Sequence, residues 1–506
     1  MIYIRKIDRR LLFYKILFME TDIDRLREHV SIAVDRLKTW PKDEPVRLIS
    51  NFDADGITSA AILIKALTRE GYMYSISILK QITKEYIRSL KNTQFKRIII
   101  ADMGSMVISE MNENLQDREI IVLDHHQVEQ NAVANENISW INPHRIGIDG
   151  SKVISAAGVS YFFAELLNEK NKDLAYLAII GAIGDIQENN GFLGPNNYIL
   201  ETAVLQNKLK VTKGLKFYGR HTRPLIKLLE YSRDPVIPGV SGNQSEVIRF
   251  LNMIDISPKK TFGWRKIIDL DQDELMRLAA AIIIKRKNEK HPENVFGNIY
   301  ELTEETSGTL FKDAKEFSTL LNACGRTGKA SVGIGALLGE KKAKVDAENV
   351  SKEYKKQIVK AINWVKENDD EMKKGTGYCI INAGKEINAS IIGTVASILS
   401  KSDYFPKNTY VLSIADALDG TAKVSMRIAG DTPGVNLKEI AEELAIRFQG
   451  DAGGHHHAAG VIFDINKTDE FLFEAEKVLR IKARELEVRE EEKTGTVEPN
   501  TIQEFM

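Results

Sequence analysis

The order of apolar and polar positions divides the chain into two α/β regions joined by a helical stretch. Residues 22–40 place Ile23, Leu26, Val30, Ala33 and Leu37 at spacings of three and four, the period of an amphipathic helix. Pro41 and Pro45 punctuate its end. Short apolar runs then predict strands over 46–51, 74–79, 97–101, 120–123 and 138–141. Helical patterns over 57–67, 156–167 and 174–183 accompany them. Apolar strands alternating with helices predict a parallel sheet with both faces covered.

Residues 196–300 read differently. Helical periods dominate at 225–231, 245–251 and 272–284, broken by segments rich in Pro and Gly. A second α/β pattern starts near 301. It predicts helices over 351–368, 389–399, 437–448 and 468–491, and strands over 378–381, 410–414, 422–428 and 460–463. The expected division is an N-terminal arm and helix (1–45), a first α/β domain (46–195), a helical connecting region (196–300), a smaller C-terminal α/β domain (301–491) and a tail (492–506). At about 150 residues per domain, a chain of 506 residues is expected to hold roughly three domains.

Composition narrows the options. No run approaches the roughly 18 apolar residues of a membrane helix, and the N-terminus lacks the apolar core and small-residue cleavage site of a signal peptide. It reads as an amphipathic arm, or as sequence upstream of a start at Met19. Only two cysteines occur, Cys324 and Cys379, which argues against a disulfide scaffold or a thiolate zinc site and predicts a reducing, cytoplasmic setting. A net charge of −1 means that any nucleic-acid affinity must come from a local basic groove.

The candidate chemistry lies at element ends. Asp53 and Asp55 follow the first strand, Asp102 the third, and Asp124 with His125 and His126 the fourth; Asp185 follows a helix. Carboxyl ends of parallel strands share one edge of the sheet, so these groups are expected to converge on one crevice. Five unpaired carboxylates there would repel one another, and a divalent cation relieves that repulsion. Carboxylate and imidazole without thiolate suit Mn²⁺ or Mg²⁺. Two such ions roughly 3.5–4 Å apart suit hydrolysis at phosphorus. The run His455-His456-His457 is not read as a metal site, because adjacent residues do not readily converge on one ion.

These motifs carry a resemblance. Asp53-Ala-Asp-Gly56, Asp102, Asp124-His-His126 and Gly184-Asp185 resemble, in order, the four motifs of the DHH phosphoesterase superfamily. Lys423-Val-Ser-Met-Arg427, Val435-Asn-Leu437 and Ala452-Gly-Gly-His455 before Ala458-Ala-Gly460 resemble its associated substrate-binding domain. Leu320-Leu-Asn-Ala-Cys-Gly-Arg326 and the segments 219–224 and 237–242 look like archaeal RecJ-like nucleases, including the GINS-associated type. The resemblance implies a two-lobed fold with a metal-binding N-terminal lobe. It implies two Mn²⁺ ions, with Mg²⁺ as the substitute, on Asp53, Asp55, Asp102, His125 and Asp185, and Asp102 as the bridge. His126 and Asp124 are implied as supporting catalytic groups, His126 facing the phosphate. Arg326, Ser425, Arg427, Gly453, Gly454 and His455 are implied to hold the nucleic-acid backbone. One departure stands out: Asn51 occupies a position where the family usually has His or Asp, so one metal position is expected to be weaker.

The implied activity is release of nucleotides from single-stranded DNA or RNA ends during replication or repair, with a GINS-type replisome partner. Two rivals stand beside it. One is a phosphodiesterase of nano-RNA or cyclic dinucleotides. The other is a replisome scaffold with little catalysis, and scaffolds of this family lose the acids that this chain keeps.

Overall fold

The computed structural model describes residues 9–494 apart from Asn190, Asp403, Asp431 and Pro433, and the side chains of 9–20, His455 and 491–494 are not described. Residues 1–8 of the expected arm and most of the expected tail, 495–506, lie outside the described residues, and from Arg9 the arm continues the expected helix as Arg9–Lys38. The chain forms two compact units, dividing between Ser351 and Lys352.

The first unit is built on five parallel strands: β1 (Val46–Asn51), β2 (Tyr74–Leu79), β3 (Arg97–Ala101), β4 (Glu119–Leu123) and β5 (Ile138–Ile141). Their order is β2-β1-β3-β4-β5. The period of two explains why both faces are covered. Leu48, Ile99 and Ile121 pack with helices Arg9–Lys38, Ala54–Arg69, Ala156–Leu167 and Ala175–Gly184. Ile49, Ile98, Ile100, Ile120 and Val122 pack with Lys84–Leu90 and Ile108–Asn114 on the other face. Each such side chain contributes about 1.5–3 kcal/mol of burial. The chain leaves β1 toward β2 and returns on its other side at β3. That reversal opens a crevice beyond the carboxyl ends of β1 and β3, the usual ligand position in open α/β sheets.

The stretch expected to be a helical connector contains two further strands. β6 (Leu209–Leu215) and β7 (Phe296–Leu302) pair antiparallel. Between them, helices Leu225–Glu230, Gln244–Met253 and Gln272–Lys285 close a core of their own around Leu225, Phe250 and Leu278. The boundary expected at 301 is also displaced. Helices Ala314–Arg326 and Ala330–Leu337 join the core of the first unit through Phe317, Leu321 and Ile334.

The second unit carries a sheet of β8 (Lys373–Gly375), β9 (Tyr378–Asn382), β10 (Tyr410–Asp416), β11 (Thr421–Ile428), β12 (Asp451–His455) and β13 (Ala458–Asp464). Its order is β12-β13-β11-β10-β9-β8, parallel only between β9 and β10. Leu412 and Val424 of the sheet meet Leu444 and Phe471 of helices Leu437–Phe448 and Thr468–Thr494. Among the described residues, no helix is long and apolar enough to cross a membrane.

Candidate metal centre

β1 delivers the first two acids. Asp53 caps helix Ala54–Arg69, accepting from the Gly56 amide at 3.0 Å. Asp55 lies in the first turn, buried. Its carboxylate accepts from the amides of Ala156 (2.7 Å) and Ala157 (3.1 Å), at the start of another helix. Helix Ala175–Gly184 crosses so closely that a Cβ on Gly181 would sit 2.5 Å from Asp55 Oδ1.

β3 delivers Asp102 in a left-handed conformation, φ 58°, which aspartate tolerates better than most residues. Neither of its buried carboxylate oxygens has a hydrogen-bond partner among the described residues. An ionised carboxylate in that state is costly unless an opposite charge meets it. Burial, then the charges of Asp53 and Asp55, hold its pKa well above the usual carboxylate value.

β4 delivers Asp124, His125 and His126. The His125 Nδ1 atom lies 2.8 Å from the Gly150 carbonyl oxygen. A carbonyl only accepts, so Nδ1 carries the proton in that bond. Nε2 then points at Asp185 (3.2 Å), Asp102 (3.4 Å) and Asp55 (3.7 Å). Burial alone would lower the His125 pKa, but Asp185, Asp55 and Asp124 outweigh it and lift it to about 9. Asp185 ends helix Ala175–Gly184; burial and then Asp55 raise its pKa to about 8. The next residue, Ile186, has φ 60°, an outlier for a β-branched side chain.

Asp124 has a different task. Its Oδ1 accepts from the amides of His125 and His126 and lies 2.9 Å from His126 Nδ1, while Oδ2 accepts from the Ser105 amide. Burial opposes its ionisation, but the His126 imidazole holds its pKa well below the usual range. His126, its side chain 46% exposed, has Nδ1 turned inward to this carboxylate.

Two groups of ligand atoms are each close enough to hold an ion, within 4.8 Å of one another: Asp55, His125 and Asp185, and Asp102, His125 and His126. An imidazole lone pair serves one ion, whereas a carboxylate with two free oxygens can join two. The donor set fits hard oxygen-loving divalent cations with borderline nitrogen. Asp53 belongs to neither group. Asn51 turns its Oδ1 back to the Phe52 amide, 2.7 Å away.

The structure adds residues that sequence reasoning did not find. Gln187 Nε2 donates to the Gly150 carbonyl at 3.0 Å, and Asn196 donates to Gln187 Oε1 at 2.6 Å. Asn322 Oδ1 accepts from the Ala54 amide at 3.0 Å. A Cβ on neighbouring Gly325 would lie 1.6 Å from the Phe52 carbonyl oxygen. Arg326 follows that contact, half-buried, its guanidinium without a hydrogen bond among the described residues. Only its proximity in sequence to Asp185 could have flagged Gln187; Asn322 lies within the motif 320–326 but was given no role there, and nothing pointed to Gly150.

In the second unit, Ser425 pairs with Gly460, which pairs with Gly453 across three strands. Gly454 falls on the opposite face of edge strand β12, and His455 pairs with Ala458. Arg427, expected as an open fork for phosphate, is engaged within the unit: Nε donates to Ser397 Oγ (2.7 Å) and Nη1 to Ser425 Oγ (3.0 Å) and the Met426 carbonyl (2.7 Å).

A parallel sheet with an acid–imidazole cluster at its switch point defines an α/β protein with a candidate divalent-metal site. Residues 46–182 match the DHH family N-terminal domain, 217–296 the DHH-CID domain and 375–480 the DHHA1 domain. An uncharacterized protein of Methanocaldococcus jannaschii is 32% identical over 86% of this chain and 93% of its own length. The chain belongs to the DHH family, and within it is RecJ-like. The single-stranded-DNA-specific exonuclease RecJ of Bacillus subtilis is 24% identical over 85% of this chain, which spans 45% of that protein. Among solved structures, RecJ from Thermus thermophilus in complex with Mn²⁺ has a TM-score of 0.54 at 17% identity, covering 90% of this chain and 54% of the other. CDC45 from Entamoeba histolytica has a TM-score of 0.61 at 12% identity, covering 91% and 98%. At these identities the likeness is one of fold.

Proposed function

We propose that the chain is a divalent-metal phosphodiesterase that removes nucleotides from the ends of single-stranded DNA or RNA. The observation that carries this reading is Asp102: a buried carboxylate whose oxygens have no hydrogen-bond partner among the described residues, with His125 Nε2 3.4 Å away. Asp53, Asp55, Asp102, His125 and Asp185 would hold two ions, preferentially Mn²⁺, with Asp102 between them and Asn51 at most a weak neutral ligand. Ions so held supply an activated water and stabilise the oxygen leaving phosphorus. Asp124 fixes the ring of His126 and keeps it cationic, its pKa near 9 despite burial, so that its exposed side presents a charge to the scissile phosphate. Arg326, beside the Asp53–Asp55 turn, is a second cation for that phosphate. Ser425, Gly453, Gly454 and His455 would hold the strand's backbone, with Arg427 shaping that surface through Ser425.

The relative in Bacillus subtilis and the manganese-bound fold neighbour support this reading. A replisome partner of GINS type, a cytoplasmic setting and an archaeal source belong to the same proposal. The retained acids weigh against a scaffold without catalysis. The inserted region with its own core weighs against a compact enzyme of short oligonucleotides.

The test uses 5′- and 3′-labelled single-stranded DNA and RNA, with Mn²⁺ or EDTA, beside Asp102→Ala. Manganese-dependent shortening of one label class is the expected result. No shortening of any strand refutes the nuclease, and cleavage of dinucleotides alone favours the small-substrate enzyme. Full activity of Asp102→Ala removes the bridging role.

A further inference from the structure

The first unit holds a cavity of about 550 Å³ lined by none of the acids or imidazoles of the metal centre. Strands β6 and β7 form one wall. Phe217 and Arg220, where the inserted region begins, form another. Ile183 and Glu188 flank the end of helix Ala175–Gly184, and Lys315 comes from the first turn of Ala314–Arg326. Small-molecule sites occupy roughly 300–1,000 Å³.

Cationic side chains gather in it. Lys213, Lys216, Arg220 and Lys315 line it with two carboxylates, Glu188 and Asp313, and Glu301 and Glu316 also favour the charge of Arg220. Each carboxylate has one oxygen engaged, and Glu188 Oε2 is buried without a hydrogen-bond partner among the described residues. Glu188 Oε1 lies 3.1 Å from Lys315 Nζ. Asp313 Oδ1 accepts from the amides of Lys315 and Glu316. The Lys213 ammonium has no hydrogen bond or ion pair among the described residues, and Lys216 Nζ lies 3.8 Å from Asp234. Arg220 Nη1 donates to the Leu215 carbonyl oxygen at 2.5 Å, while its Nε is buried without a partner among them. Unpaired cationic donors in a concave site call for an anion.

The other lining groups narrow the anion. Phe296 is 44% exposed on β7, a large flat ring left open to solvent. Tyr300 lies on the same strand, and Asn294 and Asn298 bring side-chain amides to the same cavity. Cations suit a phosphate, an open aromatic ring suits a base, and amides suit base or sugar edges. An inorganic ion would leave the ring and amides unused.

We propose that this cavity binds a nucleoside 5′-phosphate, free or at the end of a strand, at a site separate from the metal centre. Lys213 and Lys216 take the phosphate, with Arg220 behind them, and Phe296 stacks on the base. The same helix end contributes Ile183 to the cavity and Asp185 to the centre, so the ligand sits beside the segment that positions a metal-ligating carboxylate. The site does not depend on the nuclease reading.

The test is calorimetric titration of the full chain in EDTA with AMP, adenosine and inorganic phosphate. AMP is expected to bind with metal absent, and more tightly than adenosine or phosphate. The double variant Lys213→Glu/Lys216→Glu should weaken AMP at least about tenfold, Phe296→Ala should weaken it while sparing phosphate, and Asp102→Ala should leave it unchanged. Thermal melts of the variants control for folding, since Lys213 and Phe296 are exposed. Competition by a 5′-phosphorylated single-stranded hexamer identifies a strand end as the source, and its failure a free nucleotide. Equal AMP affinity in the lysine variant, phosphate binding as tight as AMP, or loss of AMP binding in Asp102→Ala overturns the proposal.

Discussion

His125 reaches the acid cluster with Nε2 because its Nδ1 is held by the carbonyl oxygen of Gly150, 2.8 Å away. Gln187 Nε2 donates to that same oxygen, and Asn196 fixes Gln187 in turn. The chain of contacts sets the tautomer and the ring plane of a proposed ligand from outside the cluster. Gln187→Leu keeps most of the volume and removes the donor. It should weaken Mn²⁺ binding about 10–100-fold and leave Asn196 short of an acceptor, at about 1–3 kcal/mol of stability. Titration calorimetry with Mn²⁺ and a denaturant melt read the two effects separately. Unchanged Mn²⁺ affinity would show that Gln187 has no orienting role.

This chain of contacts also marks where reading the sequence stops. The runs at β3 and β4 are apolar on both faces, and β1 carries Leu48 and Ile49 on opposite faces, so their ends, and hence Asp53, Asp102 and Asp124, were legible without a structure. Gly150, Gln187 and Asn322 act only through contacts between distant segments, and no periodicity encodes those. Strand β6 carries two lysines and a glycine, and β12 two adjacent glycines. Such composition reads as loop until a partner strand supplies the hydrogen bonds. Arg427 was legible as a charged residue on a strand, but its engagement with Ser397 and Ser425 was not, because a guanidinium with a local acceptor looks the same in sequence as one awaiting a ligand.

Gly325 fixes the approach of helix Ala314–Arg326 to the turn that carries Asp53 and Asp55. A Cβ there meets the Phe52 carbonyl oxygen at 1.6 Å, far inside van der Waals contact, so Gly325→Ala must move either helix or turn. The expected cost is about 1–3 kcal/mol, with a loss of Mn²⁺ affinity larger than the fall in melting temperature alone would produce. Ala323→Gly, on the same helix, serves as a control that lowers stability without touching the turn. If Gly325→Ala binds Mn²⁺ as tightly as the parent, the turn is not held by this contact.

Asn51 ends β1 with its side-chain oxygen on the Phe52 amide. Asn51→Asp keeps that acceptor and adds a negative charge beside Asp53. Without metal, the added charge should lower the melting temperature through repulsion. With saturating Mn²⁺ the order should reverse, because a charged oxygen replaces a neutral one near the ions. Differential scanning fluorimetry with and without Mn²⁺ checks both signs. A variant that melts lower in both conditions would place Asn51 outside the metal's reach.

Protons and metal compete for the same groups. Asp185 is raised from 3.8 to about 8 and His125 from 6.5 to about 9 in the metal-free protein. The two lie 3.2 Å apart, so the pair, rather than either group alone, binds protons more tightly than usual. Protons are held more tightly folded than unfolded, so stability falls as pH rises. For His125 the gain is full below about 6.5 and is lost as pH passes 9. For Asp185 the decline starts above 3.8 and ends near 8. The metal-free melting temperature should therefore drop between pH 6 and 9, approximate limits set by these shifts. Mn²⁺ must displace those protons to bind, so its affinity should climb over the same interval. Calorimetry in buffers of different ionisation enthalpy should show net proton release on Mn²⁺ binding near pH 7. Asp185→Asn, which has no proton to give up at that position, should release fewer protons. Binding with no proton release and no pH dependence would mean that the ion does not enter the Asp55–His125–Asp185 group.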